Sequence, residues 1–299
     1  MGEIIGVDNG YGFTKTVHSV YPTALQDNGA VKPPFLDNVV TYNGHYYVLG
    51  GERMKVKEDK TIDDATFILT LAAIGEELQK RGKSDERDII LSVGLPLERC
   101  GAGAESFKSY FKRDGVIEFD WKTTHHAINI QDVLVSPQGY SAIVSEISTV
   151  ANSTVIVDIG SRTIDVLQII NNIPQTSFSL NDGVITCLLD INDAIRRETG
   201  YEVMESQIQD VMMGKHNALP EKYSAIAQQK IKEYAVKIAQ TLQERKLNLE
   251  TLPFIILGGG ASIIKNYGMD LFANIRVIPE INANAVGYEK IARQIYKAS

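Results

Sequence analysis

The sequence contains two copies of one short pattern, and they lie in different halves of the chain. Each copy is an apolar strand-like run that ends in an aspartate, followed by one residue, a glycine and a return run. The copies are VDNGYGFTK at residues 7–15 and VDIGSRTID at residues 157–165. A tight turn between two such runs is typical of a β-hairpin. The repeat therefore predicts two related halves, each opening on a hairpin.

A turn of this kind is also suited to bind an anion. Its small residues expose consecutive backbone N–H groups, which form an anion-binding nest. Gly10, Gly12 and Gly160 would let the backbone approach phosphate oxygens without interference from a Cβ atom. A carboxylate beside such an anion requires a divalent cation between them, and Mg²⁺ prefers a few carboxylates together with substrate phosphates. Asp8 and Asp158 are therefore candidate Mg²⁺ ligands, although an ordinary hairpin also explains either turn alone.

The elements predicted around the two turns alternate between strand and helix, as in an α/β fold. The predicted helices cover residues 63–81, 105–113, 184–198, 220–245 and 282–297, and another opens at residues 136–137. The predicted strands cover residues 3–8, 12–20, 39–42, 45–49, 89–95, 115–121, 128–135, 153–158, 163–170, 254–257 and 275–278. The apolar residues at 220–245 recur as one helical stripe, which core packing explains.

A third turn signal lies early in the chain. Asn43 and Gly44 separate two short apolar runs and predict a small hairpin subdomain at about residues 31–60. Within it, residues 31–34 and 55–60 are predicted to be exposed loops.

The overall charge limits the partners of the protein. Its 299 residues include 30 Lys and Arg against 37 Asp and Glu, which gives a formal net charge of −7. An acidic chain binds nucleic-acid backbones poorly, so we expect no direct binding to DNA. No apolar run approaches the roughly 20 residues that cross a bilayer, and the first residues lack the pattern of a signal peptide. We therefore expect a cytoplasmic protein without a membrane partner.

Five segments spread over nearly the whole chain follow the pattern of one known superfamily. Residues 8–15 and 158–165 resemble its two phosphate loops, residues 137–142 and 282–288 its two connecting helices, and residues 256–262 its adenosine segment. In this order they resemble the superfamily of actin, heat-shock chaperones and sugar kinases. Within it, the chain resembles the ParM/StbA-like bacterial and archaeal actin homologues of the plasmid-partitioning type.

The resemblance implies an α/β, actin-like fold of two domains. Each domain would be a ribonuclease H-like duplicate with a mixed five-stranded sheet flanked by helices, and a nucleotide cleft would lie between the halves. Residues 1–150 with 282–299 would form domain I, and residues 151–281 domain II.

The resemblance also implies an ATPase whose cofactors are Mg²⁺ and ATP, with ADP after hydrolysis. Asp8 and Asp158 would hold the metal, and Asp158 and Gln138 would be catalytic. Gln138 could align the attacking water, but an amide cannot accept a proton as a base. The implied nucleotide-binding residues are Asn9, Gly10, Tyr11, Gly12, Phe13, Lys15, Gly160, Ser161, Arg162, Thr163, Asp182, Gly183, Gly258, Gly259, Gly260 and Ile263.

Some of these roles have alternatives. Lys15 either neutralises phosphate charge or is a solvated surface lysine. Ser161 stands where the family more usually has glycine, which affects the expected hydrolysis rate more than binding. Arg162 either reaches the γ-phosphate or a neighbouring subunit, or is a solvated turn arginine. No residue identifies the base, so the choice of ATP over GTP rests on the resemblance.

For the whole molecule, the resemblance implies head-to-tail filaments that form with ATP and are destabilised by hydrolysis. A DNA-bound adaptor protein at the filament ends would connect them to plasmid DNA. Two alternatives stay open: a cytoskeletal or assembly scaffold of the cell-shape, division or pilus type, and a monomeric small-molecule kinase of the same superfamily.

Overall fold

A computed structural model describes residues 2–51, 61–101, 103–144, 152–171, 173–216 and 219–298. The loop predicted at residues 55–60 lies outside these ranges. The chain divides into two compact units, unit 1 with Met1–Ser145 and Asn282–Ser299, and unit 2 with Glu146–Ile281. Across the described ranges, no helix combines the length and the apolar character that crossing a membrane requires.

Unit 1 is built on one twisted sheet. Within its described residues the strands are β1 (Glu3–Asn9), β2 (Phe13–Lys15), β3 (Val20–Pro22), β4 (Leu25–Asp27), β5 (Val39–Tyr42), β6 (His45–Leu49), β7 (Asp88–Leu95), β8 (Ile117–Trp121) and β9 (Thr124–Pro137). They form a nine-stranded sheet in the order β3-β2-β1-β7-β9-β8-β5-β6-β4. β1 is antiparallel to β2 and parallel to β7, β2 is antiparallel to β3, and β7 is parallel to β9. The long β9 then continues into an antiparallel extension made of β8, β5, β6 and β4.

Unit 2 repeats the first part of this arrangement. Its described strands are β10 (Thr154–Ile159), β11 (Ile164–Ile170), β12 (Ile173–Leu180), β13 (Phe254–Leu257) and β14 (Ile275–Val277), in the order β12-β11-β10-β13-β14. β10 is antiparallel to β11 and parallel to β13, while β11 is antiparallel to β12 and β13 parallel to β14. The order and directions match β3-β2-β1-β7-β9, so the predicted duplicated α/β fold is confirmed. Unit 1 carries four strands more than the five predicted.

Helices cover these sheets. In unit 1 they are α1 (Ala65–Lys80), α2 (Leu97–Cys100), α3 (Ala104–Phe111), α4 (Tyr140–Ile143) and α9 (Ala283–Ala298). In unit 2 they are α5 (Val184–Thr199), α6 (Glu205–Met212), α7 (Glu221–Glu244) and α8 (Ala261–Tyr267), with a short 3-10 helix at Met269–Leu271.

The central strand β1 is buried along its whole length because a helix covers each face. Successive side chains on a strand point to opposite faces. Ile5 and Val7 pack in the cluster that contains the apolar face of α1, whereas Ile4 packs with Ala292 of α9. The same two-sided burial explains why β1, β7 and β10 have nearly continuous apolar sequences.

The core of unit 2 forms between β10 and the helices α5, α7 and α8. Val155, Val157 and Ile159 of β10 lie in one buried cluster with residues of these helices. The stripe predicted at 220–245 is confirmed, since its buried members are Ala227, Ile231, Tyr234, Ile238 and Leu242.

Some predicted elements need correction. The strand predicted at 12–20 is divided into β2 and β3, because the backbone turns between Thr16 N–H and Ser19 O, 2.8 Å apart. The helix predicted to open at residues 136–137 begins at Tyr140, because β9 continues to pair with β7 as far as Pro137. β4, β12 and α6 were not predicted.

Candidate functional site

The first turn places Asp8 beside Lys15 and Gln138. Asp8 and Lys15 are direct cross-strand partners on β1 and β2. Lys15 Nζ lies 2.9 Å from Asp8 Oδ2, and the exposed fractions of the two side chains are 12% and 2%. Gln138 Nε2 lies 3.4 Å from Asp8 Oδ1, at the long end of hydrogen-bond distances. Lys15 is therefore a largely buried partner of Asp8 in this arrangement, and the alternative of a solvated lysine does not describe it.

The remaining residues of this turn are fixed by their own contacts. The hydroxyl of Thr23 donates to Gly10 O at 2.8 Å, and the hydroxyl of Thr70 on α1 donates to Asn9 Oδ1 at 3.2 Å. Asn9 and Gly12 are buried, while Tyr11 and Phe13 are half-buried. Hydrogen bonds from Thr23 and Thr70 thus fix the turn, and backbone atoms form its tip.

Gln138 is anchored by residues distant in sequence. Its backbone N–H donates to Leu95 O at 2.8 Å, at the end of β7. The next N–H, that of Gly139, donates at 2.9 Å to the side-chain oxygen of Asn284, a buried residue in the first turn of α9. The sequence did not indicate Asn284 as a residue that positions Gln138. Its inclusion in residues 282–288 was the one available signal.

The second turn is joined to the N-terminus of α5. Gly160 N–H donates to Thr163 O at 2.9 Å, which closes the turn. Ser161 O accepts from Ile185 N–H at 2.9 Å, and Arg162 O accepts from Gly183 N–H at 2.8 Å. The turn and the start of α5 therefore form one hydrogen-bonded unit, and these carbonyls use N–H groups that α5 would otherwise offer at its N-terminus.

The segment after β13 approaches this turn closely. Gly258 has a φ of +89°, and a Cβ atom there would lie 2.2 Å from Asp158 Oδ1 and 2.7 Å from Ile159 O. Gly260 N–H donates to Ile159 O at 2.9 Å. Asp158, the second turn and the backbone at 258–260 thus meet within unit 2. Only glycine fits at 258, because other residues meet both the carboxylate and an unfavourable left-handed backbone.

Ile263 lies differently from the other predicted binding residues of this segment. Its side chain is fully buried in the core of unit 2. It has no exposed surface to offer a ligand, so its role in the structure is to pack α8.

Asp182 is held by two residues of α7 that the sequence did not single out. The Tyr234 hydroxyl donates to Asp182 O at 2.6 Å, and Lys237 Nζ lies 2.6 Å from Asp182 Oδ2. Tyr234 and Lys237 are one helical turn apart, so both reach the same loop. Burial raises the pKa of Tyr234 above its ordinary value, and the nearby Cys187 and Asp182 raise it further, so the hydroxyl stays a donor. Spacing on a helix was the only sequence signal for this pair.

A buried charge network lies behind the first turn in unit 1. Glu77 of α1 has no exposed side-chain surface; it accepts from the Thr16 hydroxyl at 2.6 Å and pairs with Arg81 at 2.6 Å. Arg81 also pairs with Glu3 at 2.7 Å and with Glu289 of α9 at 2.6 Å. Burial alone raises the pKa of Glu77, but hydrogen bonds from Thr16, His18 and Arg81 outweigh it and leave the pKa below its ordinary value. The network connects β1, the residue that follows β2, α1 and α9.

These residues fit a nucleotide carried with Mg²⁺. Each turn presents bare backbone beside one buried aspartate, and carboxylate oxygens are ligands that Mg²⁺ prefers. Among the described residues, no three or more His, Cys, Asp or Glu side chains cluster as a metal cage would require. Mg²⁺ is commonly held by one or two carboxylates and keeps waters and substrate phosphate oxygens as its other ligands. The close approach of Gly258 to Asp158 shows that unit 2 has space for backbone but not for side chains beside its carboxylate.

The fold and the paired turns define an actin-like protein. Residues 6–140 match the family model for the N-terminal domain of actin-like proteins, and residues 156–267 match that for the C-terminal part of MreB-like archaeal actin homologues. Both halves of the chain therefore match models of actin-like proteins, and the chain has an actin-like fold.

Similar proteins cover the whole chain. An archaeal actin homolog of Thermoplasma volcanium is 24% identical over an alignment of 325 residues, gaps included. The alignment covers 97% of this chain and 99% of the relative. The structure of Ta0583, an archaeal actin homolog, in complex with ADP has a TM-score of 0.78 at 22% identity, covering 97% of this chain and 99% of that one. Bacillus thuringiensis ParM with ATP has a TM-score of 0.70 at 15% identity over 99% of both chains. The Alp12 filament structure has a TM-score of 0.67 at 15% identity over 98% of both chains.

Proposed function

We propose that this protein binds ATP with Mg²⁺, polymerises into filaments in that state and hydrolyses the ATP to ADP to control filament turnover. The observation that carries the proposal is the meeting of Asp158, the turn at 160–163 and the backbone of Gly258 within unit 2. A carboxylate, an anion-binding turn and bare backbone together suit a metal-bound nucleotide. Structures of similar proteins with ADP and with ATP support this assignment.

The residues of the two turns would divide the work. Mg²⁺, when bound, would neutralise phosphate charge and polarise the phosphoryl group. Backbone N–H groups at 10–12 and 161–162 would bind phosphate oxygens, and Lys15 would add a positive charge. Gln138 would align the attacking water through its amide, and Asp158 would orient the water and hold the metal.

Asp182 would contact the nucleotide from the loop that Tyr234 and Lys237 hold. Roles for Ser161 and Arg162 at the phosphates are proposals of the same kind, supported by the place of their backbone in the second turn. The domain boundaries at 150 and 282 are likewise proposed as the limits of the two actin-like domains.

Self-association into a filament is supported by the likeness to the Alp12 filament structure. A head-to-tail contact uses two different surfaces of one chain and does not close on itself, so it generates an open polymer. We propose that plasmid DNA is the cargo and that a DNA-binding adaptor at the filament ends holds it. The net charge of −7 supports an adaptor over direct DNA binding. Such an adaptor should co-sediment with filaments and bring labelled DNA with it, and DNA that pellets without any adaptor would contradict this route.

A second candidate function is a cytoskeletal scaffold that carries no DNA. The match of residues 156–267 to MreB-like archaeal actin homologues favours it. Two results together would favour the scaffold. The purified protein would form filaments, and cells with and without the protein would lose plasmids at the same rate.

Replacement of Asp158 by Ala tests the catalytic proposal. Loss of the carboxylate should slow ATP turnover by about 10²-fold or more, the usual effect of removing one group that acts in the transition state. The same change should prolong the life of any filament. Asp270→Ala, at an exposed aspartate of the same unit, is the matched control. Equal turnover in phosphate-release assays of wild type and Asp158→Ala would remove Asp158 from the mechanism.

A further inference from the structure

We propose that Lys15 is the resident counter-ion of Asp8 in the nucleotide-free protein, and that a divalent cation displaces it so that Lys15 moves to the phosphates. The inference rests on the proposed nucleotide-binding function and assigns unit 1 an ion exchange. It makes Lys15 a residue that couples metal binding to phosphate binding.

The pairing of Lys15 with Asp8 is imposed by the fold. The two residues are in direct register on β1 and β2, and cross-strand partners have side chains on the same face. The 2.9 Å contact joins two side chains that are 12% and 2% exposed. A carboxylate buried to this extent is costly without a counter-charge. Lys15 therefore supplies to Asp8 the positive charge that a bound cation would otherwise supply.

Lys15 can leave Asp8 without movement of the backbone. Its ammonium group lies on a flexible stem of four carbons, whereas Asp8 is fixed on a strand between β2 and β7. A Cβ atom at Gly10 would lie 3.5 Å from Lys15 Nζ, so the ammonium already lies beside the tip of the turn. An anion on the turn is therefore within reach after a change of side-chain rotamers.

Unit 2 has a different residue at the equivalent position. Asp158 is the register partner of Asp165, where Asp8 has Lys15. Thr163 donates to Asp165 Oδ2 at 3.1 Å, and Ser179 donates to its other oxygen. The two repeated turns therefore carry different charges at this register position, and the proposed exchange concerns unit 1.

Two cations cannot share Asp8 at short range without repelling each other. A divalent cation beside Asp8 would expel the ammonium toward the anion on the turn. Metal binding would then strengthen phosphate binding, and by reciprocity phosphate binding would strengthen metal binding.

Binding of ADP to wild type and to Lys15→Met, measured by calorimetry in EDTA and in excess Mg²⁺, tests the exchange. In EDTA the two proteins should bind ADP with similar affinity, because Lys15 is then held by Asp8. In Mg²⁺ the variant should bind roughly tenfold more weakly, the effect of one charge-assisted hydrogen bond. The same fold-loss in both conditions would overturn the proposal.

Thermal melting without nucleotide gives a second readout. In EDTA, Lys15→Met should melt below wild type, and Mg²⁺ alone should raise its melting temperature more than that of wild type. Lys83→Met, which removes the ion pair of the exposed Lys83 with the buried Glu3 far from the turn, should show no such dependence on metal. Equal gains from Mg²⁺ in wild type and Lys15→Met would contradict the exchange.

The double variant Asp8→Asn with Lys15→Met covers the case in which Lys15→Met does not fold. Because a neutral amide at position 8 needs no counter-ion, the double variant should fold, and Mg²⁺ should not stabilise it; stabilisation equal to that of wild type would also overturn the proposal.

Wild type that binds no ADP in any condition would remove the proposed function. The melting comparison would still decide whether Lys15 is the counter-ion of Asp8.

Discussion

At the scale of single residues, the candidate site depends on glycine, because its backbone approaches other atoms so closely that a Cβ atom would not fit. Gly258 is the sharpest case, since a Cβ atom would lie 2.2 Å from Asp158 Oδ1 and the backbone has a φ of +89°. The neighbouring Gly259 differs, because its nearest contacts are side-chain atoms of Ile281 at 3.7 and 3.8 Å. The two adjacent glycines therefore offer a matched comparison.

Gly258→Ala should lower the free energy of unfolding by about 1–3 kcal/mol. The new methyl group must displace the Asp158 carboxylate, and the alanine backbone must adopt a strained, positive φ. The same displacement should weaken nucleotide binding by moving the carboxylate. Gly259→Ala should stay within about 0.5 kcal/mol of wild type. Urea denaturation compares the three proteins, and equal stability of both variants would show that Gly258 does not confine Asp158.

Which site residues the sequence predicts depends on how local their geometry is. Asp8, Asp158 and the turn glycines are set by a few consecutive residues, so a repeated pattern was sufficient to find them. Asn284, by contrast, holds the backbone of Gly139, and Tyr234 holds the backbone of Asp182. Such contacts join residues that are far apart in sequence, and no local pattern encodes them.

At the scale of elements, unit 1 is held by ionic contacts between its strands and helices. Arg81 of α1 binds carboxylates from β1, from its own helix and from α9. The pKa of Arg81 lies above its ordinary value, since its bonds to Glu289, Glu3 and Glu77 outweigh the effect of burial. The pKa of Glu3 is lowered, because Lys83 and Arg81 outweigh burial there. Removing the charge of one side chain in this network would leave an opposite charge buried and uncompensated.

Glu77→Gln should cost about 3 kcal/mol at neutral pH, because it removes the charge that Arg81 and Thr16 bind. Since the folded pKa of Glu77 lies below its ordinary value of 4.5, its stabilisation is present above that pH and is lost as the pH falls through the folded pKa. Wild type should therefore lose stability below about pH 4.5 more steeply than Glu77→Gln does. Chemical denaturation from pH 7 to 3 measures both slopes.

Glu233→Gln is the control for this experiment, because Glu233 forms an exposed pair with Lys230 on α7. Its effect at neutral pH should be below about 0.5 kcal/mol. Parallel acid profiles of wild type and Glu77→Gln would show that Glu77 is not a source of the acid sensitivity.

The two strands that the sequence did not predict, β4 and β12, share a physical cause. β12 lies at the edge of its sheet and is mostly exposed, so its sequence has no apolar alternation. β4 has three residues and is also an edge strand. The buried central strands β1, β7 and β10, which have apolar sequences, were all predicted. A buried strand can be predicted because burial requires an apolar sequence, and an exposed edge strand lacks that signal.

At the scale of the whole molecule, one topology occurs twice with different charges at the equivalent position. The strand order β3-β2-β1-β7-β9 in unit 1 matches β12-β11-β10-β13-β14 in unit 2. Asp8 meets Lys15, whereas Asp158 is in register with Asp165. A duplicated scaffold thus carries two unlike turns, one in each unit.

If nucleotide state controls assembly, as we propose, sedimentation of the purified protein should depend on the nucleotide that is added. Samples with ATP and Mg²⁺, with ADP and Mg²⁺, and without nucleotide would be centrifuged over a wide range of protein concentrations. We expect a pellet with ATP and Mg²⁺ above a critical concentration, a much smaller one with ADP and none without nucleotide. No pellet at any concentration, or the same pellet in all three conditions, would contradict it.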